Sequence, residues 1–304
     1  MTRNNNRYEL DDDTFNFDWA YARGNFDWAY ARGDQGGRPS GPPNGGNGDT
    51  GTSTGTYTSG APDGASDGFN LELNFLGDAW TLDAMNAFAA AADYLSNLIT
   101  AGLADDGAID DLVIDVSLID IDTIGGTIGQ GRPTAVRSSD DATPDGLPVS
   151  GEIFVDTNDV DFLLSQGTLD DLALHEILHV MGMGTLWEVP GVRDYLSDPV
   201  FVPDLTTRNP NDGDTIITYT GGALDESGTT PLVETEGSLG HWQEEAYGDE
   251  LMTTVFNTSG NFLSQMSLDA LKDLGYSVDD TVGAELATAI DLTASYSLDD
   301  FAIV

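Results

Sequence analysis

Three histidines occur in the 304 residues, and two of them, His175 and His179, stand four positions apart in an apolar segment. No other feature limits the fold as strongly. Positions i and i+4 share a face of a helix, so both imidazoles should leave the same side of a helix expected over Thr168 to about Met181. Leu174, Ile177, Leu178 and Met181 form a separate stripe at i, i+3, i+4 and i+7, which has to face a core. Thr168 and Asp171 read as a capping box, and Asp170 and Asp171 suit the positive end of the helix. Gly182 is placed to end or bend it.

The same spacing suggests chemistry. Two imidazoles one turn apart can reach a single metal ion at about 2.0–2.1 Å each. Glu176 follows the first of them and leans to the edge of the metal face, where it can take a proton from an activated water as general base. This is the logic of the H-E-x-x-H motif of zinc peptidases. With histidine this scarce, the motif would arise by chance in roughly one such chain in a few hundred, so a functional origin is favoured. A catalytic zinc usually has three protein ligands and one open position. Six residues beyond His179 stands Thr185, which cannot replace an imidazole, and the remaining histidine, His241, is the candidate third ligand. A Glu or Asp as third ligand, with His241 incidental, is the alternative.

Around the motif the chain reads as strand, helix, strand, strand, helix. Phe69 to Phe75 alternates apolar and polar, Leu82 to Ile99 has helical spacing, and Leu112 to Ile121 and Leu147 to Val155 are further strands. Gly125 to Pro133 reads as a Gly-rich turn, Glu188 to Leu239 as loops and short strands, and Ser267 to Gly275 as a short capped helix. The fold class expected is α+β with a mixed sheet.

The stretches Leu174 to Trp187, Gly240-His-Trp…Glu250-Leu-Met-Thr253 and Leu263 to Val278 resemble the leishmanolysin-like metzincin metallopeptidases, over about Phe69 to Val278. The resemblance implies a zincin with an active-site helix and a smaller lower subdomain. It implies zinc held by His175, His179 and His241, Glu176 as catalytic residue, and Met252 as the Met-turn residue beneath the metal, where a thioether would give a polarizable floor. It also implies a cleft between an upper part (68–184) and a lower part (185–278), with substrate laid along an edge strand of the upper sheet. Ser150 to Val155 is the candidate for that strand. The disulfides of eukaryotic members cannot form here, because the chain has no cysteine.

The flanks differ in composition. Phe17-Asp-Trp-Ala-Tyr-Ala-Arg-Gly24 recurs as Phe26 to Gly33, too few copies for a solenoid. Residues 34–67 are rich in Gly, Pro, Ser and Thr, so 1–67 reads as a disordered or linker segment. The start of the sequence lacks the apolar stretch of a cleaved signal peptide, and no segment is apolar enough to span a membrane. Residues 279–304 close on Asp299-Asp-Phe-Ala-Ile-Val304, similar to the uncleaved signals read by bacterial type I export machinery. With 53 acidic against 10 basic residues, the formal net charge is −43. Such a surface repels nucleic acid and anionic membranes and stays soluble in salt. Asp156-Thr-Asn-Asp-Val-Asp161 offers carboxylates to Ca2+, but it lacks the sixth-position Gly and closing Glu of an EF-hand loop and reads as a turn or weak site. The expectation is a secreted, extracellular bacterial zinc endopeptidase acting on proteins or peptides. The rival is a non-catalytic secreted interaction protein with a structural zinc.

Overall fold

The computed structural model describes residues 2–4, 7–9, 30–31, 53–60, 68–104, 110–137, 146–189, 193–203, 206, 213–235, 239–257, 260–279, 297 and 300–301. Their fold is α+β around a mixed seven-stranded sheet. In chain order the strands are β1 (Thr2–Asn4), β2 (Arg7–Glu9), β3 (Tyr30–Ala31), β4 (Ser53–Thr58), β5 (Leu71–Leu76), β6 (Leu112–Ile119), β7 (Gly129–Arg137) and β8 (Pro148–Asp156). Smaller strands follow: β9 (Glu188–Val189), β10 (Arg193–Asp194), β11 (Val200–Pro203), β12 (Gly213–Thr218), β13 (Leu232–Val233) and β14 (Val255–Phe256). The helices are α1 (Leu82–Leu98), α2 (Val160–Gln166), α3 (Leu169–Val180), α4 (Glu244–Tyr247) and α5 (Gln265–Leu274).

The large sheet runs β1-β2-β7-β8-β6-β5-β4. Strands β5, β6 and β8 are parallel, while β7 and β4 run antiparallel to their neighbours. In β5 the alternation expected from sequence holds: Leu71, Leu73 and Phe75 are buried, and Glu72, Asn74 and Leu76 are half-buried. Helix α1 starts where the Thr81 hydroxyl accepts from Ala84 N–H (3.2 Å), and it buries Phe88, Leu95 and Leu98. Each such side chain contributes about 1.5–3 kcal/mol of burial free energy. Helices α1 and α3 pack on each other and on the sheet, and α3 lies against β7 and β8. That contact lays the helix with the histidine pair across β7 and β8.

Several expectations change. Gly129 to Pro133, read as a turn, is the first half of β7. Glycines in a strand often mark a close approach of another backbone. Here a Cβ on Gly131 would collide with the backbone carbonyl of Glu176 on α3. Ser150 to Val155 is not an edge strand, because β8 lies between β7 and β6. On its other side β7 is paired by β2 at Ala135 to Arg137. Ser53–Thr58, inside the presumed linker, is the edge strand β4, with Tyr57 buried. Composition misleads there because an edge strand can be held by backbone hydrogen bonds with few large side chains. Strands β1 and β2 extend the opposite edge.

Of the repeat, only Tyr30 and Ala31 are described; as β3 they pair in parallel with β14. At the other terminus Phe301 is buried, its ring 5.5 Å from Tyr57 and 5.9 Å from Phe75, so part of the acidic closing stretch belongs to the core. Most of the stretch read as an export signal lies outside the described residues. Among the described residues no helix is long and apolar enough to cross a membrane.

Candidate metal centre

Helix α3 presents His175 and His179 one turn apart, both fully or almost fully buried. It ends at Val180, followed by a tight turn through Gly182 (φ +109°) and Gly184 (φ +72°). The turn is held by Thr185, whose hydroxyl donates to the His179 carbonyl (2.6 Å), and by Tyr276, whose hydroxyl donates to the Met181 carbonyl (2.9 Å). Thr168 makes no capping bond, so the expected capping box does not form. The partner it needed is engaged elsewhere: Asp171 accepts from Asn261 N–H (3.0 Å) and Nδ2 (3.2 Å).

Burial pushes the Asp171 carboxyl up to about 6, against the pull of the two Asn261 bonds. The folded state therefore holds a proton that the unfolded carboxyl, at 3.8, has released. This costs nothing below the unfolded value. The cost grows as pH rises and is complete once pH has passed the folded value. Asp171→Asn should remove this dependence. Between pH 5 and pH 8 the wild type is expected to lose about 1–2 kcal/mol relative to the variant in urea denaturation. Parallel pH profiles for the two proteins would refute this assignment.

The structure brings His241 to the pair. The three Nε2 atoms face one another at 3.0 Å (His175 to His179), 3.0 Å (His179 to His241) and 3.3 Å (His175 to His241). His175 Nδ1 lies 2.6 Å from the Leu251 carbonyl, and His179 Nδ1 lies 2.8 Å from the Met183 carbonyl. A carbonyl only accepts, so both Nδ1 atoms carry hydrogen. Burial holds His175 down to about 3 and His179 to about 4, and it holds His241 well below its ordinary value. The rings are therefore neutral near pH 7, and the Nε2 atoms of His175 and His179 are bare lone pairs directed at each other. Without a cation between them that arrangement is repulsive; with one it is a ligand set. Ligands at 2.0–2.1 Å from a tetrahedral ion stand about 3.3 Å apart, close to the spacing here. The residues fit a zinc-sized ion, with three histidines and, among the described residues, no fourth His, Cys, Asp or Glu in the group.

Glu176 sits beside this group, almost wholly buried. Its Oε1 has no hydrogen-bond partner, and the nearby Gly131 N–H favours the ionised form. Burial pushes its carboxyl up to about 8. Gly129 matters as well, since a Cβ there would come within 2.7 Å of Glu176 Oε1. Neither glycine stood out as functional in the sequence; the available signal was their spacing of two, which matches a strand. Met252 is buried in the turn that follows Leu251, the residue whose carbonyl orients His175.

The acidic segment Asp156 to Asp161 acts as a turn. Asp156 accepts from the N–H groups of Ile121 (3.3 Å), Asp122 (3.2 Å) and Asn158 (3.1 Å), and Asp159 accepts from Gly125 N–H (2.8 Å). No protein-family model matches the chain, and no curated protein is significantly similar to it.

Proposed function

We propose that this chain is a zinc-dependent endopeptidase of the leishmanolysin-like metzincin kind, working outside the cell. One observation carries the reading: three buried imidazoles converge on a point beside a buried carboxylate with an unpartnered oxygen. His175, His179 and His241 would hold zinc through Nε2. Zinc bound there supplies a Lewis acid that acidifies water and polarises a peptide carbonyl.

The remaining work falls to the chain's own residues. With a cation held by the three histidines, the Glu176 carboxyl would be drawn back down from about 8, leaving Oε1 to take a proton from water and return it to the leaving amine. The nearby Gly131 N–H favours the ionised form of that carboxyl. Strand β7 passes the carboxylate at Gly129, so an extended peptide laid along this part of the upper sheet would reach Glu176. Met252 fills the Met-turn position. The rival, a structural zinc, calls for a closed set of four ligands, whereas the described group has three.

The test is cleavage of an unfolded protein by the purified chain. Activity should disappear with a chelator and return with stoichiometric zinc. A chain that binds zinc yet cleaves nothing in either state would favour the structural-zinc rival.

A further inference from the structure

A second buried carboxylate lies under the site and takes no part in the chemistry above. Glu250 is 1% exposed. Its Oε2 accepts from Met252 N–H (2.5 Å). Its Oε1 accepts from Ser264 N–H (3.1 Å), the Ser264 hydroxyl (2.8 Å) and the Ser267 hydroxyl (2.5 Å). All four donors are neutral. Ser264 is the N-cap of α5 and Ser267 lies in its first turn, so the carboxylate sits at the positive end of a ten-residue helix. Burial pushes this carboxyl above its ordinary value, and the hydrogen bonds and the helix end, rather than a counter-ion, offset part of that cost.

The bonds continue toward the histidines along two routes. The Ser267 hydroxyl accepts from Trp242 Nε1–H (2.8 Å), and Trp242 N–H donates to the Met252 carbonyl (2.9 Å). Trp242 is the neighbour of His241 in the chain. On the other route, Leu251, between Glu250 and Met252, presents the carbonyl that orients His175. His175 and His179 each have a carbonyl on Nδ1, but His241 Nδ1 has no partner. The His241 ring is therefore placed by its packing on the other two imidazoles and by its backbone, whose carbonyl accepts from Glu234 N–H (2.9 Å) and whose neighbour Trp242 is tied to Met252.

We infer that Glu250 is a positioning residue that fixes His175 and His241 relative to each other by clamping residues 250–253 to the start of α5. A core that needed only packing would place an apolar side chain here, since burying a carboxylate is costly. The inference rests on the metal-site reading, and its test is read on metal affinity rather than on peptide cleavage. The full chain and its Glu250→Gln, Glu250→Ala and Ser267→Ala variants would be titrated with Co2+ and Zn2+ in competition with a chromophoric chelator. Denaturation of the metal-free proteins would be followed in parallel.

Glu250→Ala is expected to lose about tenfold in affinity, at the low end of what supporting residues contribute, with an altered Co2+ visible spectrum. Glu250→Gln, which keeps the shape and some of the bonds, should recover part of the loss. A role confined to stability would lower the denaturation midpoint and leave the affinity of the folded protein unchanged. Folded Glu250→Ala with wild-type affinity and spectrum overturns the inference and leaves the peptidase reading standing. If that variant does not fold, the same result from Glu250→Gln together with Ser267→Ala overturns it. A wild-type chain that binds neither metal overturns both.

Discussion

Glu176→Gln should abolish peptide hydrolysis while leaving the metal in place. Glutamine is nearly the same shape, and Glu176 does not belong to the group of three histidines, so zinc affinity should change little. What is lost is the acceptor for a proton. A positioned general base contributes about 10²–10⁴-fold, and a fall of that size in kcat/KM is expected. Stability should respond in the other direction. Burial raises the Glu176 carboxyl to about 8, so in the metal-free folded protein its ionisation is opposed from the unfolded value of 4.5 upward. Stability from this group is complete below 4.5 and is lost as pH rises through about 8. Glutamine has no charge to bury, although its amide hydrogens need partners that the site does not supply. The metal-free variant should therefore be no less stable than wild type at pH 8. Activity within twofold of wild type would remove Glu176 from the mechanism. A variant that lost zinc along with activity would move Glu176 into the ligand set.

Much of the centre was legible because its geometry is local. The pair His175 and His179 depends on helix periodicity alone, and the apolar stripe beside it depends on the same period. His241 was reached by scarcity, since with three histidines in the chain a three-ligand site has one candidate left, and by the resemblance of the stretch that begins at Gly240. What could not be read depends on contacts between distant segments. Gly129 and Gly131 look like a turn because glycine usually marks one, and only the approach of α3 shows that the missing side chains make room for Glu176. Asp171 looks like half of a capping box until Asn261, ninety positions away, takes its oxygen. Glu250 is one of 53 acidic residues, and nothing local distinguishes the one that is buried under the site. Strand β4 and Phe301 were missed for a related reason. Composition averages over a segment, while an edge strand or a single aromatic docks through a few residues.

The largest effect on the fold of the site is expected from Gly184→Ala. Gly184 has φ +72°, where a side chain costs about 1–2 kcal/mol. Its Cβ would also collide with the carbonyl oxygen and Cα of Gly240, backbone atoms that cannot rotate aside. Relief of such overpacking costs a further 1–3 kcal/mol or so. The collision is badly placed for the metal. Met183, one residue earlier, supplies the carbonyl on His179 Nδ1, and His241 directly follows Gly240. The backbone must give on one side or the other, and either movement separates Nε2 atoms that now stand 3.0 Å apart. The expected result is a loss of about 2–5 kcal/mol in the metal-free protein and at least a tenfold or so fall in zinc affinity. Gly167→Ala is the control, because Gly167 has φ +69° but nothing within 4 Å of its Cβ. It should show the conformational cost alone and bind zinc as wild type does. If Gly184→Ala behaved like Gly167→Ala, the turn after α3 would be a tolerant loop, and the close approach of Gly184 to Gly240 could not be what brings His241 to the helix.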